Sequence, residues 1–351
     1  MRWRLAPIIL AALVGIGLIA AGAHATFSGK NGRIVFRRFL DVERTTSALF
    51  TVNPDGTKER QLTHPPAGVD DREPDWAPNG AKIAFERKLP CPAGGPKDGL
   101  NNTCDLVYTV KRNGKGLRSL VPCRFKVGSA TGTPGTDCVG VDDPAWSRDG
   151  SRMAFQNNLV NAAYSGSLGV DAGIWIVRSN GTGLRQVTQR TPGTSWDWGP
   201  QWSPDGRTLA FVRTDLARDA DAVFTANIDG TGEVQVTPWE LGGGDHPDWS
   251  PDGRWLLFRV VAADGSSNVY KAHPDGTGLT NLTNEGADGH HYLSSSFSPN
   301  GMQITTARTP GNGPEGAADV VVMNADGSNI RSVTTSRLWD SGADWGTAPL
   351  R

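Results

Sequence analysis

A two-part repeat that recurs along most of the 351 residues constrains the fold of this chain more than any other feature. Its first half has the pattern P-x-W-S-P-D-G-x-x-I-A-F, and five copies begin at Glu73, Asp143, Gly199, His246 and Ser294. A sixth copy is split, because ADWG lies at 343–346 and the continuing NGRIVF lies at 31–36. Units of roughly 40–50 residues built from short strands and turns indicate a β-propeller.

The second half of the repeat is an apolar strand, an Asp-Gly or Asn-Gly turn and a strand ending in Val-Thr or Leu-Thr, as in IWIVRSNGTGLRQVT. Such turns join the two strands of a hairpin. Each unit opens on an aromatic residue, and these are Trp76, Trp146, Trp202, Trp249, Phe297 and Trp345. The sequence therefore predicts an all-β, six-bladed β-propeller with four strands per blade. It also predicts closure by the C-terminal strand pairing with the N-terminal blade, which protects the sheet edges.

The regular residues of the repeat have structural explanations. Pro and Gly set the backbone of the S-P-D-G turn, and the Asp accepts backbone N–H bonds within it. We therefore expect Asp149, Asp205 and Asp252 to stabilise turns, and the opening aromatics to pack between blades.

The first 25 residues differ from the rest and are typical of a secretory signal peptide. Arg2 and Arg4 precede an apolar run, and Ala23-His24-Ala25 is a small-x-small cleavage site. The alternative is an uncleaved membrane anchor, although the apolar run is short for a stable span. We expect a propeller domain over 26–351 in the periplasm or outside the cell, with membrane contact only through the signal peptide before cleavage.

All four cysteines fall in two Pro/Gly-rich insertions, at about 88–105 and 122–142. Export to an oxidising compartment favours disulfides, and the preferred pairs are Cys91–Cys104 and Cys123–Cys138 among three possible connectivities. A zinc site is the rival interpretation, but the cysteines are widely spaced and no C-x-x-C pair occurs.

The net charge of −1 argues against nucleic acid as a partner, because phosphate binding needs a concentrated basic surface. A closed propeller is self-sufficient, so we expect a monomer.

The loops that enter the opening strands carry acidic residues four or five positions before the aromatic, and we expect these to ring the mouth of a central channel. They are Asp71, Asp142, Asp197, Asp245 and Asp340, with Tyr292 at this place in the fifth copy beside His290 and His291. One interpretation is that each Asp caps a turn or binds the next blade. The other is a site for a divalent cation or a positively charged peptide end. No cofactor is required.

Four further aromatics, Trp196, Trp198, Trp239 and Trp339, lie outside the repeat positions. Flat rings beside carboxylates suit sugars or peptide side chains, while filling space under long loops is the alternative. A transition-metal site of His246, His291 and Asp245 is a further candidate, without a tight ligand spacing to support it.

The S-P-D-G motif with an upstream Trp and a downstream I-A-F resembles the TolB-like, WD-repeat-like β-propeller family in all six units. TolB-type proteins carry a separate α/β domain before the propeller, which we do not expect here. Similar propellers precede peptidase domains, but no G-x-S-x-G nucleophile motif occurs in this chain.

The fold hosts unrelated functions, so the resemblance weakly constrains activity. We expect a non-enzymatic scaffold that binds an envelope or extracellular protein, peptide or glycan through the channel-mouth face. The alternative is a metal-dependent polysaccharide lyase or hydrolase with its site at the channel mouth.

Overall fold

The computed structural model describes residues 29–90, 103–120, 141–157, 173–190, 194–262, 265–284, 289–309 and 317–349. The predicted signal peptide and three cysteines, Cys91, Cys123 and Cys138, lie outside these residues, as does the side chain of Cys104. The two disulfides therefore stay predictions.

The all-β prediction is confirmed, because a single-turn 3-10 helix, Trp239–Leu241, is the one helical element in the described ranges. The strands form one sheet of eight strands and four sheets of four. The larger sheet contains β1 (Asn31–Phe39), β2 (Ser47–Val52), β3 (Arg60–Gln61), β4 (Asp70–Trp76), β5 (Lys82–Pro90), β6 (Thr103–Lys111), β7 (Arg118–Ser119) and β24 (Asp340–Thr347).

The four smaller sheets follow one another along the chain. The first contains β8 (Val141–Trp146), β9 (Arg152–Asn157), β10 (Gly173–Arg178) and β11 (Arg185–Gln186). The second contains β12 (Ser195–Trp202), β13 (Thr208–Asp215), β14 (Ala220–Asn227) and β15 (Val234–Gln235). The third contains β16 (Gly243–Trp249), β17 (Leu256–Val261), β18 (Ser267–Ala272) and β19 (Thr280–Asn281). The fourth contains β20 (Tyr292–Phe297), β21 (Gln303–Arg308), β22 (Asp319–Asn324) and β23 (Arg331–Ser332).

Each smaller sheet is an antiparallel meander that starts at a strand ending in an opening aromatic, which gives a propeller-like arrangement. The structure holds four separate four-stranded sheets where the repeat predicts six, because the other eight strands are hydrogen-bonded into one sheet. A single parallel pairing of Ser47 with Asp70 joins β2 to β4. The hydroxyl of Ser47 strengthens this junction by donating to the carbonyl of Asp71 at 2.8 Å.

The two ends of the described chain meet in the larger sheet. Strand β24 pairs antiparallel with β1, with Trp345 opposite Ile34 and Asp340 opposite Arg38. The split repeat copy is thus rejoined by hydrogen bonds between strands from opposite ends of the sequence.

The structural roles predicted for the repeat residues are confirmed. In the turn at 203–206, Asp205 accepts the N–H of Arg207 at 3.0 Å and the hydroxyl of Ser203 at 2.6 Å. Trp202 is 1% exposed and belongs to an apolar cluster that spans two neighbouring sheets. Its indole Nε1 donates to the carbonyl of Ala145, 3.1 Å away in the preceding sheet. Packing and hydrogen bonding therefore both use this aromatic to join adjacent sheets.

Among the described residues, no helix has the length and apolar character needed to cross a membrane.

Candidate functional site

The six strands that end at an opening aromatic, β4, β8, β12, β16, β20 and β24, all lose regular pairing just before that residue. In four of them the residue two positions before the aromatic is a proline, which has no N–H to give to a ladder. These prolines are Pro74, Pro144, Pro200 and Pro247. A β-bulge at the end of a strand redirects the neighbouring side chains.

The bulged segments of all six strands line a single cavity of about 80 Å³, which we call the axial cavity. Each strand contributes the three residues that precede its aromatic. The lining segments are 73–75, 143–145, 199–201, 246–248, 294–296 and 342–344. Six separate parts of the sequence are therefore brought to one place by the repeat.

Three side chains with titratable groups meet in the outer part of the axial cavity, and we call Glu73, Asp143 and His246 the mouth trio. Nε2 of His246 lies 3.4 Å from Oε2 of Glu73 and 3.7 Å from Oδ1 of Asp143. The side chains of Glu73, Asp143 and His246 keep 21%, 14% and 28% of their exposure, so a ligand can reach all three. The trio has two acceptor groups and one imidazole on strands β4, β8 and β16.

The backbone of the mouth trio is in the left-handed region, with φ of 45° at Glu73, 48° at Asp143 and 46° at His246. The equivalent positions in β12 and β24 are Gly199 and Gly342, each with φ of 58°. A side chain in this region costs about 1–2 kcal/mol relative to glycine. Non-glycine residues in this region are uncommon and cluster at functional sites, so the trio is a candidate site.

Trp198 holds the imidazole of His246 in place. The two rings meet edge to face, with centroids 5.6 Å apart and planes at 79°. The indole Nε1 of Trp198 in turn donates to Oγ1 of Thr214 at 3.0 Å, which fixes the ring. Of the four additional tryptophans, Trp198 is the one in contact with the mouth trio.

A buried layer of carboxylates lies beneath the trio, at the position just before the aromatic. Asp75, Asp248 and Asp344 each accept the backbone N–H of the next unit's opening aromatic at 2.7 Å. The three donors are Trp146, Phe297 and Trp76, in that order. These carboxylates therefore connect neighbouring units around the axial cavity.

Burial raises the pKa of all three of these carboxyl groups, because the charged form loses its hydration. The pKa of Asp75 is raised well above its usual value by burial and then by the nearby charge of Asp344. Burial raises the pKa of Asp248 to about 8, and it also raises the pKa of Asp344. The floor of the axial cavity thus holds protons that an exposed Asp would lose.

A second group of buried acids, Glu86, Asp105 and Asp142, lies near β4 and β8, with oxygens within 4.8 Å of one another. Arg72 offsets part of this charge, with its Nε 2.7 Å from Oε1 of Glu86. Burial still raises the pKa of Glu86 to about 8 and that of Asp142 well above its usual value. Asp142, predicted to ring the channel mouth, is therefore part of this buried cluster.

Three of the other predicted acidic residues form ion pairs away from the axial cavity. Asp71 is fully buried and bound by Arg87, with Nε–Oδ1 and Nη2–Oδ2 distances of 2.6 and 2.8 Å. Asp197 is held in the same way by Arg213, with a further bond from Arg190 at 3.0 Å. Asp340 is held by Arg38. These contacts favour the structural interpretation, and ligand contact by these residues stays a prediction.

In the fifth copy, Tyr292 stands at the position that Asp holds in the other copies, and its contacts differ from theirs. Tyr292 is buried, and the guanidinium of Arg308 lies 5.9 Å from its ring centroid. His290 Nδ1 is 2.8 Å from the carbonyl of Thr309, and the backbone N–H of His291 donates to the hydroxyl of the same residue. Neither histidine lines the axial cavity. The side chain of Asp245 is not described, so the predicted set of His246, His291 and Asp245 is untested as a whole.

The remaining predicted tryptophans lie outside the axial cavity and have contacts of their own. Trp239 packs against Phe224, with ring centroids 5.6 Å apart. The guanidinium of Arg44 stacks over Trp339 at 4.0 Å. Trp196 is partly buried in β12. Sugar or peptide binding by these three stays a prediction.

Sequence reasoning singled out His246 but missed Glu73 and Asp143, which are three positions before their aromatics. A usable signal was present: this position reads Glu, Asp, Gly, His, Ser and Gly across the six copies. The aromatic three positions later and the turn that follows it are kept in most copies, whereas this position changes chemistry from copy to copy, as does the position just before the aromatic. Such variation inside a regular repeat indicates positions that the architecture does not dictate.

The known proteins that resemble this chain include one curated relative and several solved structures. The uncharacterized peptidase YuxL of Bacillus subtilis is 34% identical over 95 residues, which is 27% of this chain and 13% of that protein. TolB from Acinetobacter baumannii superposes with a TM-score of 0.64 at 16% identity, covering 92% of this chain and 68% of TolB. A chain of the nidogen/laminin complex gives a TM-score of 0.61 at 12% identity, covering 90% and 98%. Likenesses at such low identity show the fold alone.

The family model of the TolB beta propeller domain matches residues 141–346, more than half of the sequence. The matched region contains five of the six segments that line the axial cavity, all but 73–75, and the structural likeness to TolB extends over nearly the whole chain. On this evidence the chain belongs to the TolB beta propeller domain family.

Proposed function

We propose that this chain is a non-enzymatic binding scaffold whose axial cavity holds a positively charged group of an envelope or extracellular protein or peptide. The observation that carries the proposal is the meeting of Glu73 and Asp143 at strained backbone positions in a cavity formed by six strands. Two partly exposed carboxylates on a rigid frame suit a lysine, an arginine or an amino terminus. Trp198 beside them offers an aromatic surface for the same ligand.

We also propose that the scaffold is a closed ring of six blades. The eight-stranded sheet consists of two units of four strands, β24 with β1–β3 and β4–β7. With the four separate sheets these make six units, and the pairing of β24 with β1 would close the ring. The contribution of six equivalent segments to one cavity supports this arrangement.

Export to the periplasm or the cell exterior is part of the proposal. It rests on the predicted signal peptide at 1–25 and fits membership of the TolB propeller family. We propose a monomer, because the sheet edges that a ring of blades leaves are short, as in the two-residue strands β11, β15, β19 and β23.

A metal-dependent lyase or hydrolase at the same cavity is the second candidate, favoured by the imidazole of His246 between two carboxylates. A glycan is the alternative ligand for the scaffold. An assay for glycan binding distinguishes the glycan ligand from the peptide ligand. An assay for turnover of soluble polysaccharides and peptides, with and without divalent metal, distinguishes the enzyme from the scaffold.

The scaffold proposal is tested with a microarray of random peptides printed in matched pairs. One peptide of each pair carries lysine and arginine, and the other carries norleucine and citrulline at the same positions. Binding is measured in EDTA, so that no metal contributes. We expect the charged peptides to bind and the uncharged ones to lose at least tenfold in affinity. The double variant Glu73→Gln with Asp143→Asn should lose the same preference, while Glu43→Gln, which removes an exposed carboxylate elsewhere, should keep it.

Equal binding of charged and neutral peptides, or an unchanged preference in the double variant, would contradict the proposal. Turnover of a polysaccharide or peptide that stops in EDTA would favour the enzyme instead.

A further inference from the structure

We propose that Glu73, Asp143 and His246 form a binding site for a divalent transition-metal ion of the zinc class. One ligand atom from each residue lies within 4.8 Å of the other two. The site differs from the set predicted from the sequence, since it shares only His246 with it. It lies in the same cavity as the proposed peptide site but does not depend on peptide binding.

The distances fit a metal centre without rearrangement of the backbone. Zinc binds nitrogen and oxygen ligands at about 2.0–2.2 Å in a tetrahedron, which places two ligand atoms roughly 3.3–3.6 Å apart. The His246 Nε2 atom is 3.4 Å from Oε2 of Glu73 and 3.7 Å from Oδ1 of Asp143. Small side-chain rotations would therefore bring all three atoms to bonding distance of one ion.

The donor set selects the class of metal. Calcium takes six to eight oxygen ligands and magnesium demands an octahedron of oxygens, so neither suits one imidazole and two carboxylates. An imidazole nitrogen with carboxylate oxygens suits zinc and its first-row neighbours. Three protein ligands would leave a further coordination position for water or a donor atom of a partner.

The strands hold the three ligand residues close together without a bound ion. The three residues come from β4, β8 and β16, and all three keep left-handed backbone where two equivalent positions use glycine. Trp198 supports the imidazole of His246 by edge contact, as outer groups commonly orient metal-binding histidines. A site assembled from three separate units at a strained position is more than a chance cluster of exposed acids.

The charges around the site also favour a cation. Among the described residues that line the axial cavity, none is lysine or arginine. The side chain of Arg72, which precedes Glu73, is paired with Glu86 at 2.6 Å.

The test uses untagged mature protein, stripped with EDTA and dialysed, and titrates ZnCl₂ by calorimetry without any peptide. Cobalt substitution, followed by visible absorption, reports the coordination geometry. We expect one zinc ion per chain and cobalt bands of a four- or five-coordinate centre. Circular dichroism and melting in EDTA show that each variant is folded before it is titrated.

His246→Ala, Glu73→Gln and Asp143→Asn should each weaken zinc binding at least tenfold, while His64→Ala, which removes an exposed imidazole, should leave it unchanged. Absence of stoichiometric zinc binding, or equal affinity in folded His246→Ala, would overturn the proposal. Loss in His291→Ala with no loss in Glu73→Gln would also overturn it, in favour of the set predicted from the sequence. Because no peptide is present, failure of the scaffold proposal would leave this result intact, and the reverse also holds.

Discussion

Arg38 forms an ion pair with Asp340 where the first and last strands of the described chain, β1 and β24, meet; we call this junction the seam. Nε and Nη2 of the guanidinium lie 2.6 and 2.7 Å from the two carboxylate oxygens, and the partners are 302 residues apart in the sequence. The carboxylate is fully buried and the guanidinium nearly so. This pair and the β1–β24 ladder together join the two ends of the propeller.

Removing one partner of the Arg38–Asp340 ion pair should destabilise the fold. Arg38→Met leaves the Asp340 charge buried without its partner, which should lower the free energy of unfolding by about 3–5 kcal/mol. Adding Asp340→Leu should recover much of this loss, because the buried charge is then gone and Glu59, the other partner of Arg38, is partly exposed to water. Urea unfolding measures both effects, with the exposed Arg118→Met as control. An effect of Arg38→Met no larger than that of the control would show that the seam contributes little.

The carboxyl group of Asp248 should give stability a characteristic pH dependence. Burial raises its pKa from 3.8 in the unfolded chain to about 8, so between these values the folded protein holds a proton that the unfolded chain has lost. Stability must then fall as the pH rises from about 4 to about 8, by up to about 1.4 kcal/mol per pH unit for one group.

Asp248→Asn should reduce that slope by the contribution of one proton and raise stability at pH 8, because the amide oxygen can still accept the N–H of Phe297. Other buried acids, such as Glu86, keep their own contribution to the slope. Chemical unfolding at pH 5 and pH 8 measures the change, and the exposed Asp219→Asn should keep the wild-type slope. An undiminished slope in Asp248→Asn would contradict the raised pKa of this group.

Gly199 shares the left-handed backbone of the mouth trio, so a substitution there measures the free-energy cost of that conformation. A Cβ built on Gly199 meets no atom closer than 3.9 Å, so Gly199→Ala tests the φ of 58° alone. We expect a loss of about 1 kcal/mol in unfolding free energy. No loss would remove the argument that the side chains at the equivalent positions are strained.

The two disulfides, Cys91–Cys104 and Cys123–Cys138, remain predictions from the sequence. Peptide mapping of protein secreted into an oxidising compartment, by mass spectrometry without reduction, should find both pairs. Free thiols throughout, or a different pairing, would contradict them. If both form, their reduction should lower the melting temperature, since each closes a loop of about 15 residues.

The sequence predicted the strands and turns well, because their signals are local. Proline and glycine fix the S-P-D-G turns, and each opening aromatic is apolar at a fixed spacing. The Asp residues at a regular offset were also correctly noticed, but their role depends on a partner across the ladder. Arg87, Arg213 and Arg38 stand two residues after Phe85, Phe211 and Phe36, and each faces its Asp in register.

The mouth trio could not be derived from local patterns. Glu73, Asp143 and His246 are up to 173 residues apart, and only the meeting of the bulged strands at the axial cavity brings them within reach of one another. The β-bulge in each strand also sets the direction of these side chains, and the alternating pattern of a regular strand would point them elsewhere. The merging of two units through Ser47 and Asp70 likewise depends on one pairing that no repeat copy encodes.

We propose that the side chains of the mouth trio serve ligand binding and not folding. The most direct test is the unfolding free energy, in EDTA, of a triple variant with glycine at Glu73, Asp143 and His246, as at Gly199 and Gly342. Glycine relieves the left-handed strain and removes the charges, so we predict stability within about 1 kcal/mol of wild type or above it. A loss of several kcal/mol would show that these side chains hold the fold together, and would contradict the claim.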